Sequence, residues 1–372
     1  MKQVKLPVGL RDSFSKTCQK KKKLQEQIET VFSSYGYEEI TTPSIEYYQT
    51  YYKAFETLED RNMYKFFDQD GEILTLRMDM TVPIARAITS HCKNNEHPVR
   101  LRYCANVYRV CQSYAGKRNE MTDCGIELVG LDQNSDIEVV TCALDAMRCM
   151  KCKSYILEIG NVQFFKTACD ALNLKEDIRI QLADLIDRKS MVELEEYLES
   201  LDMPAKARLF FLRLPFLAGK EQILNLAYDI SFTNDLKKIV VELKDLYKNL
   251  KELGYENEVT FDLAKVPHLH YYTGIIFEGF IQGIGSAVLS GGRYDHLLEK
   301  FGPAQRACGF SIKLDEIVDQ MPEETVKKKI RIYYGYHQQM DALKLAAQKR
   351  KQQIVELIPS EKDEITLEEV DE

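Results

Sequence analysis

The sequence predicts an α+β fold: a sheet domain formed by residues 1–160 and 256–322, a helical insertion at 161–255, and a truncated C-terminal α/β segment at 323–372. Three observations carry this. Strand-like alternation recurs on both sides of the middle third, as in RLRYCANVYRV before it and YYTGIIFEGFI, SAVLSGGRYD and ACGFSIKL after it. The middle third is instead rich in Leu and Lys with helical periodicity, as in LKKIVVELKDLYKNLKELG. The end of the chain, IRIYYGY, a helical stretch near Met340–Gln353, then IVELIP, reads as one short β-α-β unit.

The elements follow in order. Leu24, Ile28, Val31 and Phe32 fall on one helical face, giving a helix at about 17–35 that Gly36 ends in a left-handed cap. EEITTPSIEYY is a strand interrupted at Pro43, and Asp68–Gly71 is the turn of a hairpin joining Tyr64–Phe67 to Ile73–Arg77. Thr81–Ser90 is helical, while Arg100–Val110 and Asp123–Val129 pair around a turn at Gly116. Ser135-Asp136-Ile137-Glu138 has the form of a capping box opening a helix to about Lys151, followed by a strand at Tyr155–Ile159. The end, SEKDEITLEEVDE, reads as a mobile acidic tail.

Composition bounds the function. With 45% apolar and 29% charged residues, this is an ordinary globular chain, long enough for two or three domains. No apolar run approaches the roughly 18–20 residues that cross a bilayer, and MKQVKLPVGLRDSF lacks a signal-peptide core, so the expected compartment is the cytoplasm. The ten cysteines are scattered through apparent helices and strands and read as reduced, buried thiols. Cys149 and Cys152 have redox or zinc spacing but no second pair, which makes them structural. A net charge of −8 argues against a surface that grips a nucleic acid. The Lys20–Lys23 run reads as a solvated helix start, with a polyanion contact as the alternative.

Four ordered motifs carry chemistry: LTLRMDMTVPIARAI at 74–88, YRVCQSYAGKRNEMTDCGIELVG at 108–130, KVPHLHYYTGIIFEGF at 265–280, and GGRYDHLLEKFG at 291–302 with CGFSIKLDEI after it. Together, over roughly residues 5–320, they resemble the class II histidyl-tRNA synthetases. The resemblance implies a class II synthetase-like antiparallel sheet flanked by helices, and a histidine pocket made by Asp79, Thr81, Arg109, Glu127, Tyr271 and Tyr272. Asp79 would take the ammonium group through a charge-assisted hydrogen bond; capping of the following helix is its plainer role. Arg109 stands where the family binds the α-phosphate. Tyr271 and Tyr272 stand where family tyrosines lie against the imidazole, with core packing as the plainer reading.

The departures cluster on the nucleotide side. The catalytic arginine of the family's Arg-Gly-Leu-Asp-Tyr-Tyr run is Pro267, followed by His268, Leu269 and His270. Cys111 replaces a glutamate, Asp123 a glutamine and Asn119 an ATP-binding arginine, while Asp315-Glu316 stands where an adenine-clamping arginine is expected. His268 and His270 share a strand face but lack a third ligand, so no metal or cofactor is assigned. Synthetase paralogues with such losses resemble the regulatory subunits of ATP phosphoribosyltransferase (the HisZ group), as does EIGNVQFF at 158–165. That resemblance implies a non-catalytic subunit supporting the first step of histidine biosynthesis. Its partners would be a short-form HisG catalytic subunit and L-histidine as effector, around a homodimeric core within a hetero-oligomer. The competing expectations are a divergent amino-acid-activating enzyme and a free-standing histidine- or RNA-binding module.

Overall fold

The computed structural model describes residues 5–55, 60–91, 98–110, 118–152, 154–265, 272–321, 328–362 and 364–371. The chain begins with α1 (Ser15–Ser34), β1 (Glu38–Glu39), β2 (Ile45–Tyr47), α2 (Tyr48–Ala54), β3 (Lys65–Phe67), β4 (Ile73–Leu76) and α3 (Thr81–His91). Then come β5 (Val99–Tyr108), β6 (Glu120–Val129), α4 (Asp136–Cys149) and β7 (Tyr155–Asn161). A helical stretch follows: α5 (Val162–Ala171), α6 (Glu176–Asp187), α7 (Met191–Ser200), α8 (Ala205–Arg213), the two-residue β8 (Ala218–Gly219), α9 (Gln222–Ile230) and α10 (Asn234–Glu252). The sheet resumes with β9 (Val259–Asp262), β10 (Ile275–Ile281), β11 (Leu289–Arg293), β12 (Ala307–Lys313) and the short α11 (Leu314–Ile317).

These strands form a nine-stranded sheet in the order β1-β5-β6-β12-β11-β10-β7-β9-β8. From β5 to β7 every pair is antiparallel; β1–β5 and β7–β9 are parallel. The expected class II synthetase-like sheet is therefore present. Its two faces are both covered, which is why β6 is buried along nearly its whole length instead of alternating with solvent. One face carries Cys124, Ile126, Leu128, Phe310 and Ile312 against α1, α4 and the helical stretch 162–252. The other carries Tyr103, Val107, Met121 and Tyr294 against α2 and α3. A small antiparallel sheet, β2-β4-β3, contains the hairpin expected around Asp68–Gly71.

Residues 322–372 form a second compact unit. In it β13 (Lys328–Tyr334) pairs in parallel with β14 (Ile354–Pro359) and antiparallel with β15 (Thr366–Asp371), and α12 (Gln339–Lys349) packs against them. The acidic tail is thus not wholly free: residues 366–371 are a strand. The cause is charge complementarity with the basic β13, where Glu368 accepts from the Tyr333 hydroxyl at 2.7 Å and Glu369 pairs with Lys328 at 3.6 Å, while Ile365 joins the apolar cluster.

Two local expectations also change. Ser135 does not form a capping box, because it already has helical dihedrals and donates instead to the Asp132 carbonyl at 2.6 Å; Asp132 caps the short turn before it. Glu138, the other half of the expected box, forms a two-pronged pair with Arg100. Within the Lys20–Lys23 run, Lys21 is not simply solvated but reaches Asp315 at 2.9 Å.

Phe310 joins the elements that matter most here, with its ring edge-on to Phe32 of α1 at 5.6 Å and to Phe277 of β10 at 6.2 Å. Phe310→Ala is expected to cost about 3–5 kcal/mol by equilibrium denaturation. A loss under about 1 kcal/mol would contradict this packing role.

Candidate functional site

Strand periodicity places Asp123 and Glu127 on the same face of β6, four residues apart with Gly125 between them. Both are buried, at 2% exposure each. Such carboxylates persist only if the surroundings compensate them. Glu127 accepts a hydrogen bond from the Thr81 hydroxyl at 2.7 Å and a very short one from the Tyr294 hydroxyl. Asp79 lies at the start of α3, where its Oδ1 accepts from the Val82 amide at 3.0 Å, and the Tyr51 hydroxyl donates to its carbonyl at 3.3 Å. Asp79 is therefore a helix cap, and its charge also repels those of Asp123 and Glu127.

The strands opposite make room. Glu127 lies directly across from Gly309 on β12, and Gly309 across from Gly292 on β11. A Cβ at Gly309 would fall 1.9 Å from Glu127 Oε2, and one at Gly292 2.9 Å from the Tyr272 ring. These two glycines let the Glu127 carboxylate and the Tyr272 ring lie close over the sheet, the first above Gly309 and the second above Gly292. Tyr272 packs, half-buried, on the cluster that holds Tyr103 and Tyr294.

The electrostatics are lopsided. Burial pushes Glu127 up to about 8, opposed by the hydrogen bonds from Tyr294 and Thr81, with Asp79 adding repulsion. Asp123 is raised to about 6, again mainly by burial, with Arg109 and Lys313 opposing and Asp79 and Asp315 adding to it. Burial also raises Asp79, against its Val82 hydrogen bond and Arg109. Arg109 donates through Nε to the Met78 carbonyl at 2.7 Å, and its Nη2 lies 3.9 Å from Asp123. Asp123 Oδ1 is buried and makes no hydrogen bond among the described residues. The site is thus a desolvated cluster of carboxylates with acceptor capacity left over.

Beside it, the positions expected to have lost nucleotide contacts make structural contacts. Asp315 accepts from the Thr122 amide at 2.7 Å and pairs with Lys21 at 2.9 Å and Arg118 at 3.3 Å. Glu316 accepts from the Ser286 hydroxyl at 2.5 Å. Buried Asn119 donates to the Val8 carbonyl and the Tyr64 hydroxyl, and its backbone amide donates to the Gly9 carbonyl, pinning the N-terminal arm.

Of the six residues expected in the pocket, Asp79, Thr81, Arg109 and Glu127 are brought together, and Tyr272 lies over Gly292, two strands from Glu127. Tyr271, like Pro267, His268, His270, Cys111 and Gly116, lies outside the described residues. Sequence reasoning took Asp123 only as a departure and did not single out Tyr103 or Tyr294; the alternation of β6 was the available signal for Asp123.

Sheet order and motif positions define a class II synthetase-like domain. The histidyl-tRNA synthetase family model matches residues 9–317. The ATP phosphoribosyltransferase regulatory subunits of Bacillus thuringiensis (strain Al Hakam) and Bacillus cereus (strain AH820) are each 33% identical over 348 residues, 91% of this chain and 82% of theirs. A crystal structure titled as an ATP phosphoribosyltransferase regulatory subunit/histidyl-tRNA synthetase from Bacillus halodurans superposes with a TM-score of 0.85 at 32% identity, covering 95% of this chain and 92% of that one. Histidyl-tRNA synthetase from Nostoc shares the fold, with a TM-score of 0.78 at 20% identity over 97% of this chain and 87% of its own. The chain belongs to the histidyl-tRNA synthetase family and, within it, to the ATP phosphoribosyltransferase regulatory subunits. No helix among the described residues is long and apolar enough to cross a membrane.

The weakened acidity of Glu127 has a testable sign. Its folded value near 8 lies above the unfolded value of about 4.3, so its contribution to stability is present at low pH and lost as pH rises toward 8. Relative to Glu127→Gln, the wild-type chain is expected to lose on the order of 3 kcal/mol between about pH 5 and about pH 8. A pH-independent difference between the two denaturation curves would show that Glu127 is not held as a buried acid.

Proposed function

We propose that this chain is the non-catalytic regulatory subunit of an ATP phosphoribosyltransferase, and that L-histidine binds beside the buried carboxylates of Asp79, Asp123 and Glu127, against the Tyr272 ring. One observation carries the reading: buried carboxylates persist at the positions expected to hold an amino acid, while beside them Asp315 is taken up in internal ion pairs and Asn119 and Glu316 in internal hydrogen bonds. Amino-acid activation needs fixed cations on the phosphates, each worth about 10²–10³ in rate. Here Asp315 and Glu316 stand where one is expected, and Pro267 replaces another.

The pocket favours a small cation with an aromatic appendage. The ammonium group of histidine meets Asp79 and Asp123, whose mutual repulsion and unfilled acceptor a cation relieves. Glu127, held by Thr81 and Tyr294, faces an imidazole nitrogen, and Tyr272 covers the ring. Arg109 lies within reach of the histidine carboxylate.

The subunit works in the cytoplasm with a short-form HisG catalytic chain, as a homodimeric core within a hetero-oligomer, with tRNA no longer a partner. Histidine inhibits by binding one assembly state more tightly than the other. A coupling of about 1–3 kcal/mol gives 5–150-fold inhibition.

Co-expression with a short phosphoribosyltransferase chain tests the assembly. The two chains are expected to co-purify, with activity and histidine inhibition requiring both; full, histidine-sensitive activity of the catalytic chain alone would refute the proposal. Robust histidine-dependent ATP–pyrophosphate exchange by the purified chain would refute its non-catalytic status. Within the complex, Asp79→Asn keeps the α3 cap but removes the charge, and is expected to weaken histidine inhibition about 10–100-fold. Tyr272→Ala is expected to weaken it as well. Unchanged inhibition in both variants would place the effector elsewhere.

A further inference from the structure

On the opposite face of the same strands lies a second cluster that the pocket does not use. Cys104 of β5 and Cys124 of β6 are direct cross-strand neighbours, and Glu29 of α1 comes down over them. One ligand atom from each, two sulfurs and a carboxylate oxygen, all lie within 4.8 Å of one another. Cys124 is buried, Cys104 half-buried, and the Glu29 side chain 24% exposed, so the cluster opens at the edge of α1.

We propose that Glu29, Cys104 and Cys124 form a binding site for a thiophilic divalent metal ion, zinc in chemical class. Two thiolates and a carboxylate are a donor set that suits zinc, with water completing a tetrahedron from the open side. The edges of such a tetrahedron are about 3.5 Å, so closure asks for side-chain shifts of roughly an ångström.

Two further features fit a metal. Arg102, two residues before Cys104 on the same strand face, has Nε and Nη1 buried without hydrogen bonds, with Nη1 3.7 Å from Glu29. Metal binding releases two thiol protons to the buffer. Two thiolates, one carboxylate, a divalent ion and the guanidinium then sum to zero charge, and the idle Arg102 donors gain thiolate acceptors. Gln25, one turn earlier on α1, donates to Glu29 Oε1 at 3.0 Å and orients the carboxylate as outer-shell partners of metal ligands do. All three ligands sit on regular elements, and the strand carrying Cys124 also carries Asp123 and Glu127 on its other face. The site would therefore brace α1 against the strand that holds the pocket.

The test uses the full chain, reduced with a phosphine, stripped with chelator, dialysed against zinc and assayed by elemental analysis. One chelator-removable zinc per chain is expected, and cobalt in its place should give a thiolate-to-metal charge-transfer band. Cys104→Ser and Cys124→Ser should abolish that zinc, Glu29→Gln and Arg102→Gln should weaken it by about tenfold or more, and Cys149→Ser should leave it intact. In the wild-type chain, which avoids any folding defect of the variants, zinc should slow alkylation of Cys104 and Cys124 read by peptide mass spectrometry. Absence of bound zinc, equal zinc in the cysteine variants, or alkylation unaffected by zinc would each overturn the proposal. So would a Cys104–Cys124 disulfide whose reduction yields no metal binding.

Discussion

The rest of the site depends on one costly arrangement: Asp79, Asp123 and Glu127 are withdrawn from water on one face of a sheet. An isolated buried carboxylate costs several kcal/mol, and the usual escape is protonation or pairing. Glu127 takes the first route in part, rising to about 8, with Thr81 and Tyr294 holding its oxygens. Asp123 has neither route in full, since its Oδ1 stays without a hydrogen bond among the described residues and Arg109 only approaches its other oxygen. The glycines opposite are a consequence of this arrangement. Any side chain at 309 would collide with the Glu127 carboxylate.

The same constraint explains why losing the nucleotide side is compatible with a stable fold. Removing an arginine from a phosphate site leaves nearby groups without a partner. Here Asp315, the neighbour of Glu316 at the expected arginine position, is used inside the protein, by Lys21 of α1, Arg118 and the Thr122 amide. Thr122 is the neighbour of Asp123 on β6, so the ion cluster buttresses the strand that bears the pocket. The Asp315 cluster is thus a brace, and Asp79, Asp123 and Glu127 remain as buried carboxylates on the proposed amino-acid side.

Much of this was legible in the sequence, for physical reasons. Strand alternation and the Leu/Lys periodicity of the middle segment report burial directly, and so disclosed the α+β class. The ordered motifs disclosed Asp79, Thr81, Arg109 and Glu127 together because each is fixed to an element with a set register. Asp123 was visible as a substitution, but not its unfilled acceptor, which depends on neighbours from three elements. The Lys21–Asp315 pair spans 294 residues, beyond the reach of any local pattern. The capping box failed because a preceding turn had already fixed the Ser135 dihedrals, and the acidic tail was misjudged because its partner is the basic strand β13. Glu29, Cys104 and Cys124 look unrelated until the sheet sets them side by side.

The central claim is that the pocket is built for an ammonium-bearing ligand. It is tested most directly by titration calorimetry of the chain with L-histidine, histidinol and imidazolepropionate, from about pH 5 to about pH 8. Histidine and histidinol carry the ammonium group and are expected to bind, with affinity rising as pH passes the value of about 6 at which Asp123 ionises. Imidazolepropionate, which lacks that group, is expected to bind at least about tenfold more weakly. Equal binding of imidazolepropionate and histidine, with no dependence on pH, would contradict the account.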